Sequence, residues 1–280
     1  MNNLLVVKKH ILRPIVKFLQ NILPNHVFNK FYDFAFPLYR KIICLIYWLL
    51  TVTFYKLINK DVYLMRKNIC SILPYTMVGF NGLAVTYRVC MEMNKKCVPG
   101  DFVELGVARG GCSALMGSTI FSDKNPNNRN LLLFDSYEGL PEPTQDDFKE
   151  NKTGNHVRPM PKGSCLGTLP EVKNLIFNIK KFPREKVRLI KGWFDKTIPK
   201  ERNKIQKIAV LRIDGDWYES VKTCLEGLYD KVEVGGVIIS DDYQSCYGAE
   251  KAVDEFIESN KLNAKIILDG RGGCYWYKTS

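Results

Sequence analysis

Histidine is scarce in this sequence, and its cysteines show no order. Only His10, His26 and His156 occur in 280 residues, and nine cysteines lie at irregular spacings with no C-x-x-C pair. Those counts argue against a zinc site of mixed Cys/His ligands. An odd total without close pairing also argues against the disulfide framework of a small secreted chain, so reduced, mostly buried thiols are expected. The N-terminus shows no short charged region followed by an apolar core and a small-residue cleavage site, so no secretory signal is expected and the chain reads as cytoplasmic. There is no internal repeat, no low-complexity tract and no G-x-G-x-x-G dinucleotide fingerprint.

Acidic residues are nearly missing from the first 60 positions. Nine Lys/Arg (Lys8, Lys9, Arg13, Lys17, Lys30, Arg40, Lys41, Lys56, Lys60) face Asp33 alone, which accounts for +8 of the net +12 and leaves +4 for the other 220 residues. The basic excess therefore belongs to one segment, and no nucleic-acid partner is expected. The same segment holds "IICLIYWLLTVTFY", fourteen uncharged residues between Lys41 and Lys56. As a helix this run spans about 21 Å against the roughly 30 Å of a bilayer core, so a spanning helix is disfavoured. Upstream, Leu5, Ile11, Leu12, Ile15, Phe18, Leu19 and Ile22 lie near one helical face, with Lys9, Arg13 and Lys17 on another. A basic amphipathic segment beside an aromatic-rich apolar one can lie on an anionic membrane surface; the plainer reading packs both against the body or a second subunit. Residues 1–60 are read as a helical extension and 61–280 as the main domain, with a homo-oligomer expected.

From residue 61 short apolar runs alternate with helical stretches. "DFVEL" (101–105), "LLLFD" (131–135), "VRLI" (187–190), "IAVLRID" (208–214), "VIIS" (237–240), "AKIILD" (264–269) and "CYWYK" (274–278) are strand-like. They are mostly apolar rather than alternating, as strands covered on both faces should be. Strand–helix alternation predicts a mostly parallel, doubly wound α/β sheet. Only "GRGG" separates the last two runs, too short for a crossover, so they should form an antiparallel hairpin edge. That seven-stranded, Rossmann-like arrangement is the architecture of class I methyltransferases. Residues 138–170, rich in Pro, Gly, Asn and charge, fit a lid or substrate loop.

In "DFVELGVARGG" a strand ends at Glu104, and Gly106, Gly110 and Gly111 open a helix through Ser113. Glycine lets the backbone turn sharply and admits a ligand without a Cβ in the way. An acid before the first glycine repels a pyrophosphate and suits a cationic ligand such as S-adenosylmethionine. Asp135, closing the next strand, sits where Rossmann-like sheets bind ribose hydroxyls; a turn-capping role is the plainer alternative. Gly192 and Trp193 in "LIKGWFDKTIP" would flank an adenine, with Asp195 and Thr197 nearby, although Trp193 equally suits the core.

"IAVLRIDGDWYES" and "GGVIISDDYQS" end adjacent strands on two pairs of carboxylates, Asp214 and Asp216, then Asp241 and Asp242. Four such groups at strand tips raise one another's pKa, and a divalent cation relieves the conflict. Oxygen-only ligation points to Mg²⁺ on Asp214, Asp241 and Asp242. Asp214 and Asp216 are the candidate catalytic residues; Asp216 or Asp195 would accept a proton from a substrate hydroxyl. Helix capping by these aspartates is the plainer reading.

The blocks "YTMVGFNGLAVTYRV", "VPGDFVELGVARGG", "FDSYEGLPEP", "KGWFDKTIP", "LRIDGDWYESVKTCLEGLY" and "GGVIISDDYQSCYGAEKAVDEF" together resemble the macrocin O-methyltransferase (TylF-like) family over roughly residues 73–258. The resemblance implies a class I fold, S-adenosylmethionine as donor, a Mg²⁺ site and methylation of hydroxyls on deoxysugars or related natural products, with a small-molecule or glycan acceptor. It places the cofactor at Glu104, Gly106, Asp135 and Ser136, and the metal at Asp214, Asp241 and Asp242. Ala108 departs from the tryptophan usual in the family, residues 1–60 have no counterpart, and no histidine lies near the D-G-D block to replace the base of some relatives. Two rival functions remain: a metal-dependent Asp-x-Asp glycosyltransferase, and a non-catalytic S-adenosylmethionine-binding module.

Overall fold

The computed structural model describes residues 13–122, 128–156 and 159–279. The chain divides into two units, Met1–Tyr63 and Leu64–Ser280. In the first, α1 (Arg13–Ile22) precedes α2 (Asn25–Leu50), which runs through a π-helical turn, Thr51–Tyr55, to Ile58. The fourteen-residue apolar run is thus part of a helix more than twice its length. Arg40 and Lys41 do not interrupt it, because both are good helix formers, and even Pro37 lies inside it. Of the amphipathic stretch expected upstream, Leu5 to Leu12 lie outside the described residues.

α3 (Lys60–Ile72) leads into the second unit, where α4 (Phe80–Lys95) precedes the sheet. There β1 (Asp101–Leu105), β2 (Leu131–Asp135), β3 (Val187–Lys191), β4 (Ile208–Ile213) and β5 (Val232–Ser240) are parallel. β6 (Ile267–Leu268) and β7 (Cys274–Tyr277) form the expected antiparallel hairpin, and β7 also pairs antiparallel with β5. The order β3-β2-β1-β4-β5-β7-β6 makes one seven-stranded sheet of class I methyltransferase type. Between strands run α5 (Gly111–Ile120), α6 (Leu169–Lys173), α7 (Phe194–Glu201), α8 (Tyr218–Leu228) and α9 (Tyr247–Ser259). Two strands differ from the sequence reading by more than one residue. β5 begins five residues earlier, at Val232, and only Ile267–Leu268 of "AKIILD" pairs.

The apolar strand residues fill the core on both faces of the sheet. Val103, Leu105, Phe134, Leu211, Ile213 and Ile238 are buried on one face with Trp217 and Trp276, and Phe102, Leu133, Val210 and Ile239 are buried on the other. Each large side chain removed from water contributes about 1.5–3 kcal/mol, which suffices to hold a few polar groups inside. All nine cysteines are free thiols, five of them buried: Cys90, Cys112, Cys224, Cys246 and Cys274.

The strand tips of β1 and β4 lie in contact. Asp214 N donates to Leu105 O at 2.8 Å, and Gly106 sits at φ +91° with the place of a Cβ only 1.8 Å from the Asp214 carbonyl oxygen. Gly106→Ala is therefore expected to destabilise the fold by at least about 2 kcal/mol, read as a lowered thermal midpoint. An unchanged midpoint would mean that the tips are free to separate.

Candidate active site

A fully buried arginine lies at the centre of the tips. Arg212, in β4, donates from Nη1 to Glu104 Oε1 at 3.0 Å and to Asp214 Oδ2 at 2.8 Å, and from Nη2 to Asp241 Oδ1 at 2.6 Å. It thereby joins β1, β4 and β5 through one guanidinium. Glu104 Oε2 also accepts from Ser113 Oγ. Glu104, expected to face a cationic ligand, has its charge answered by Arg212 inside the protein, and Ser113 holds its other oxygen. Burial pushes the Glu104 carboxyl up to about 7 although Arg212 pulls it down.

The second aspartate pair is held asymmetrically. Asp241 Oδ2 accepts from Arg271 Nη1 at 2.5 Å while Oδ1 faces Arg212. Burial opposes the charged form of Asp241, but the Arg271 and Arg212 guanidiniums outweigh it and hold the carboxyl below its ordinary range. Asp242 lies beside it without such a partner. Its Oδ2 is buried and makes no hydrogen bond, and burial together with the Asp216, Asp214 and Asp241 charges raises its pKa well above the usual carboxylate range. Asp216 stands in a left-handed conformation, φ +55°, uncommon and costly for a non-glycine residue. Burial and the charges of Asp214 and Asp241 push it up to about 7.

One oxygen from each of Asp214, Asp241 and Asp242 falls within 4.8 Å of the others. This set suits a hard divalent ion on two grounds: all donors are oxygens, and the orphaned Asp242 Oδ2 is a buried acceptor of the kind that an ion satisfies.

The glycine loop beside this cluster is latched by Asp135. Its Oδ2 accepts from Val107 N at 2.7 Å and Ala108 N at 2.9 Å, and its Oδ1 from Tyr137 N at 2.6 Å. Asp135 thus does the turn-holding work that was the plainer alternative, and burial raises its pKa. Ser136 Oγ likewise accepts from Glu138 N and closes its own turn. Gly110, at φ +85°, caps the N-terminus of α5, and half-exposed Trp193 caps α7 next to Gly192. Asp195 is exposed and paired with Lys196.

Residues 138–156 and 159–170 are pinned over the strand tips. Asp147, fully buried, accepts from Tyr218 N and Thr144 N; Trp217 Nε1 donates to Pro141 O; and Asn155 N donates to Ser245 O. At Gly167 a Cβ would lie 2.0 Å from the Ala108 carbonyl oxygen, so this loop also presses on the glycine loop. It carries His156, whose Nε2 is 3.5 Å from Cys246 Sγ, itself 3.7 Å from Asp216 Oδ1. The sequence reading that no histidine lies near the D-G-D block is corrected: His156 stands one side chain away from Asp216. Burial lowers its pKa, favouring the neutral ring. Arg212, Arg271, Asp147 and His156 were not singled out from the sequence. Only Arg212 carried a signal, as a charged residue inside an otherwise apolar strand.

Residues 60–278 match the family described as macrocin-O-methyltransferase (TylF). The chain belongs to that family. It is 37% identical over 207 residues to a demethyldecarbamoylnovobiocin O-methyltransferase of Streptomyces niveus, covering 73% of this chain and 76% of the relative. A second relative, of Streptomyces olivaceus, is named 8-demethyl-8-(2,3-dimethoxy-alpha-L-rhamnosyl)-tetracenomycin-C 4'-O-methyltransferase; identity is 34% over 210 residues, covering 74% and 77% of the two chains. Among solved structures, the O-methyltransferase NovP superposes with a TM-score of 0.65 at 34% identity, covering 74% of this chain and 83% of its own. The fold and family make the TylF-like chain an O-methyltransferase that uses S-adenosylmethionine.

Asp216 gives this enzyme a pH signature. Its pKa moves from 3.8 to about 7 on folding, so the folded state keeps a proton that the unfolded chain releases between those values. Stability conferred by the protonated form is present at low pH and lost as pH rises toward 7. Asp216→Asn should remove about 1–2 kcal/mol of that fall, read as a flatter thermal midpoint between pH 5 and pH 8; an unchanged slope would contradict the assignment.

Proposed function

We propose that the enzyme transfers a methyl group to a hydroxyl of a sugar, on a glycosylated natural product or a glycan, with Mg²⁺ held by Asp214, Asp241 and Asp242. The observation that carries this reading is the triad of carboxylate oxygens within 4.8 Å, beside the glycine loop and containing a buried acceptor without a partner. One relative's name specifies the 4'-oxygen of a rhamnosyl group, which supports a sugar hydroxyl as acceptor.

S-adenosylmethionine supplies an electrophilic methyl group on a sulfonium when bound. Mg²⁺, when bound, supplies a Lewis acid that lowers the pKa of a coordinated hydroxyl and templates its position. This chain's residues do the rest. Gly106 and Gly110, both at positive φ, shape the loop that would receive the donor, with Asp135 holding that loop and Gly192 and Trp193 offered as a wall for the adenine. Asp216, poised at about 7, accepts the hydroxyl proton; a base with that pKa works best near neutral pH. The pinned loop over the tips excludes water and sets the acceptor's orientation, where much of the rate gain arises. An Asp-x-Asp glycosyltransferase would leave the glycine loop and the second aspartate pair without work, and the family match removes that rival.

The test uses labelled S-adenosylmethionine with a panel of deoxysugar glycosides and free glycans. Methyl transfer is expected to stop with a chelator and return with Mg²⁺, and to fall at least about 100-fold in Asp242→Asn. Turnover that survives both treatments would overturn the metal assignment.

A further inference from the structure

The N-terminal unit exposes an apolar helix with no counterpart in the chemistry above. From His26 to Ile58, 33 residues, the helix has a mean hydropathy of 1.7 in its most apolar window, of which only 11% is buried. Leu45 is 55% exposed and Leu57 86%, and Ile46, Trp48, Leu50 and Phe54 are exposed as well. At 100° per residue, Leu45, Ile46, Leu50, Phe54 and Trp48 fall at about 0, 100, 140, 180 and 300° around the axis. An in-plane amphipathic helix, or one packed on a single partner, needs a single apolar face. Exposed apolar side chains thus cover about two thirds of the circumference, leaving only the side where Tyr47 and Thr51 are buried, and need an environment that wraps most of the helix.

The charges define that environment further. Arg40 and Lys41 precede the uncharged stretch and Lys56 and Lys60 follow it, within a segment of nine basic residues and one acid. Long basic side chains lay their stems along apolar surface and keep their heads in water or at phosphate, and clustered Lys/Arg favour anionic headgroups. The stretch they bracket is about 21 Å long, which the stems extend toward the roughly 30 Å of a hydrocarbon core.

We infer that α2 and its continuation to Ile58 anchor the enzyme in an anionic lipid bilayer, with Arg40, Lys41, Lys56 and Lys60 at the headgroups. The inference is independent of the methyl acceptor's identity. A second copy of the chain is the rival occupant, and the experiment separates the two.

The full chain, purified in mild detergent, is mixed with phosphatidylcholine vesicles with or without phosphatidylglycerol, and the detergent is removed. The protein is expected to float with the vesicles, at least tenfold more with the anionic lipid. Brominated acyl chains should quench Trp48 fluorescence, and Trp48→Phe should lose that quenching, since Trp217 and Trp276 are buried and half-exposed Trp193 belongs to the catalytic unit. The double variant Leu45→Glu, Leu49→Glu should stay in the aqueous fraction at least tenfold more than the parent while still binding S-adenosylhomocysteine, which shows that the catalytic unit is folded. Protein that remains in solution as a dimer or larger assembly, with Trp48 untouched by brominated lipid, would overturn the anchor in favour of a second copy.

Discussion

The site is organised by one buried cation. Taking a guanidinium out of water costs several kcal/mol, and only close, well-aimed carboxylates offset it. Arg212 has three, each on a different strand: Glu104 at the end of β1, Asp214 just past β4 and Asp241 just past β5. Without it the three acids would repel one another at adjoining strand tips. With it, the sheet's carboxyl edge becomes a fixed platform, and Gly106 lets β1 turn away immediately beside Asp214.

The same cation divides the acids by role. Asp241, shared between Arg212 and Arg271, is held ionised. Asp242 and Asp216, beyond the reach of Arg212's hydrogen bonds, are burdened by burial and by their neighbours' charges, and so favour protonation. Environments that push neighbouring carboxyls apart in pKa are how a fold assigns a permanent anion and a proton carrier within one small volume. The loop 138–170 completes the division. Its buried Asp147 caps α8 through Tyr218 N, and its His156 approaches Asp216 through Cys246.

Much of this architecture is legible in the sequence because its signals are local. Continuous apolar runs mark β1 to β5, "GRGG" marks the terminal hairpin, and two aspartate pairs after strands mark the site. What escapes is long-range. Glu104 reads as a ligand-facing acid because its partner Arg212 lies 108 residues away and only the strand order brings them together. Asp135 reads equally as ribose binder and turn latch, and the choice depends on where Val107 and Ala108 donate. His156 is invisible to spacing, since a loop of no regular pattern carries it to Cys246, 90 residues on. The N-terminal helix was underestimated for the opposite reason. Only the uncharged run between Lys41 and Lys56 sets its length in the sequence reading, whereas a helix tolerates basic side chains well and here continues through Pro37.

A double-mutant cycle on Glu104 and Arg212 tests the central claim most directly. Chemical unfolding of the wild type, Arg212→Met, Glu104→Gln and the double variant gives the coupling between the two groups. Arg212→Met alone should cost about 3–5 kcal/mol, because it strands buried carboxylates. Removing the Glu104 charge as well should restore enough that the double variant loses at least about 1–2 kcal/mol less than the sum of the singles. Strict additivity would contradict the account, since it would mean that Arg212 and Glu104 contribute to the fold independently of each other.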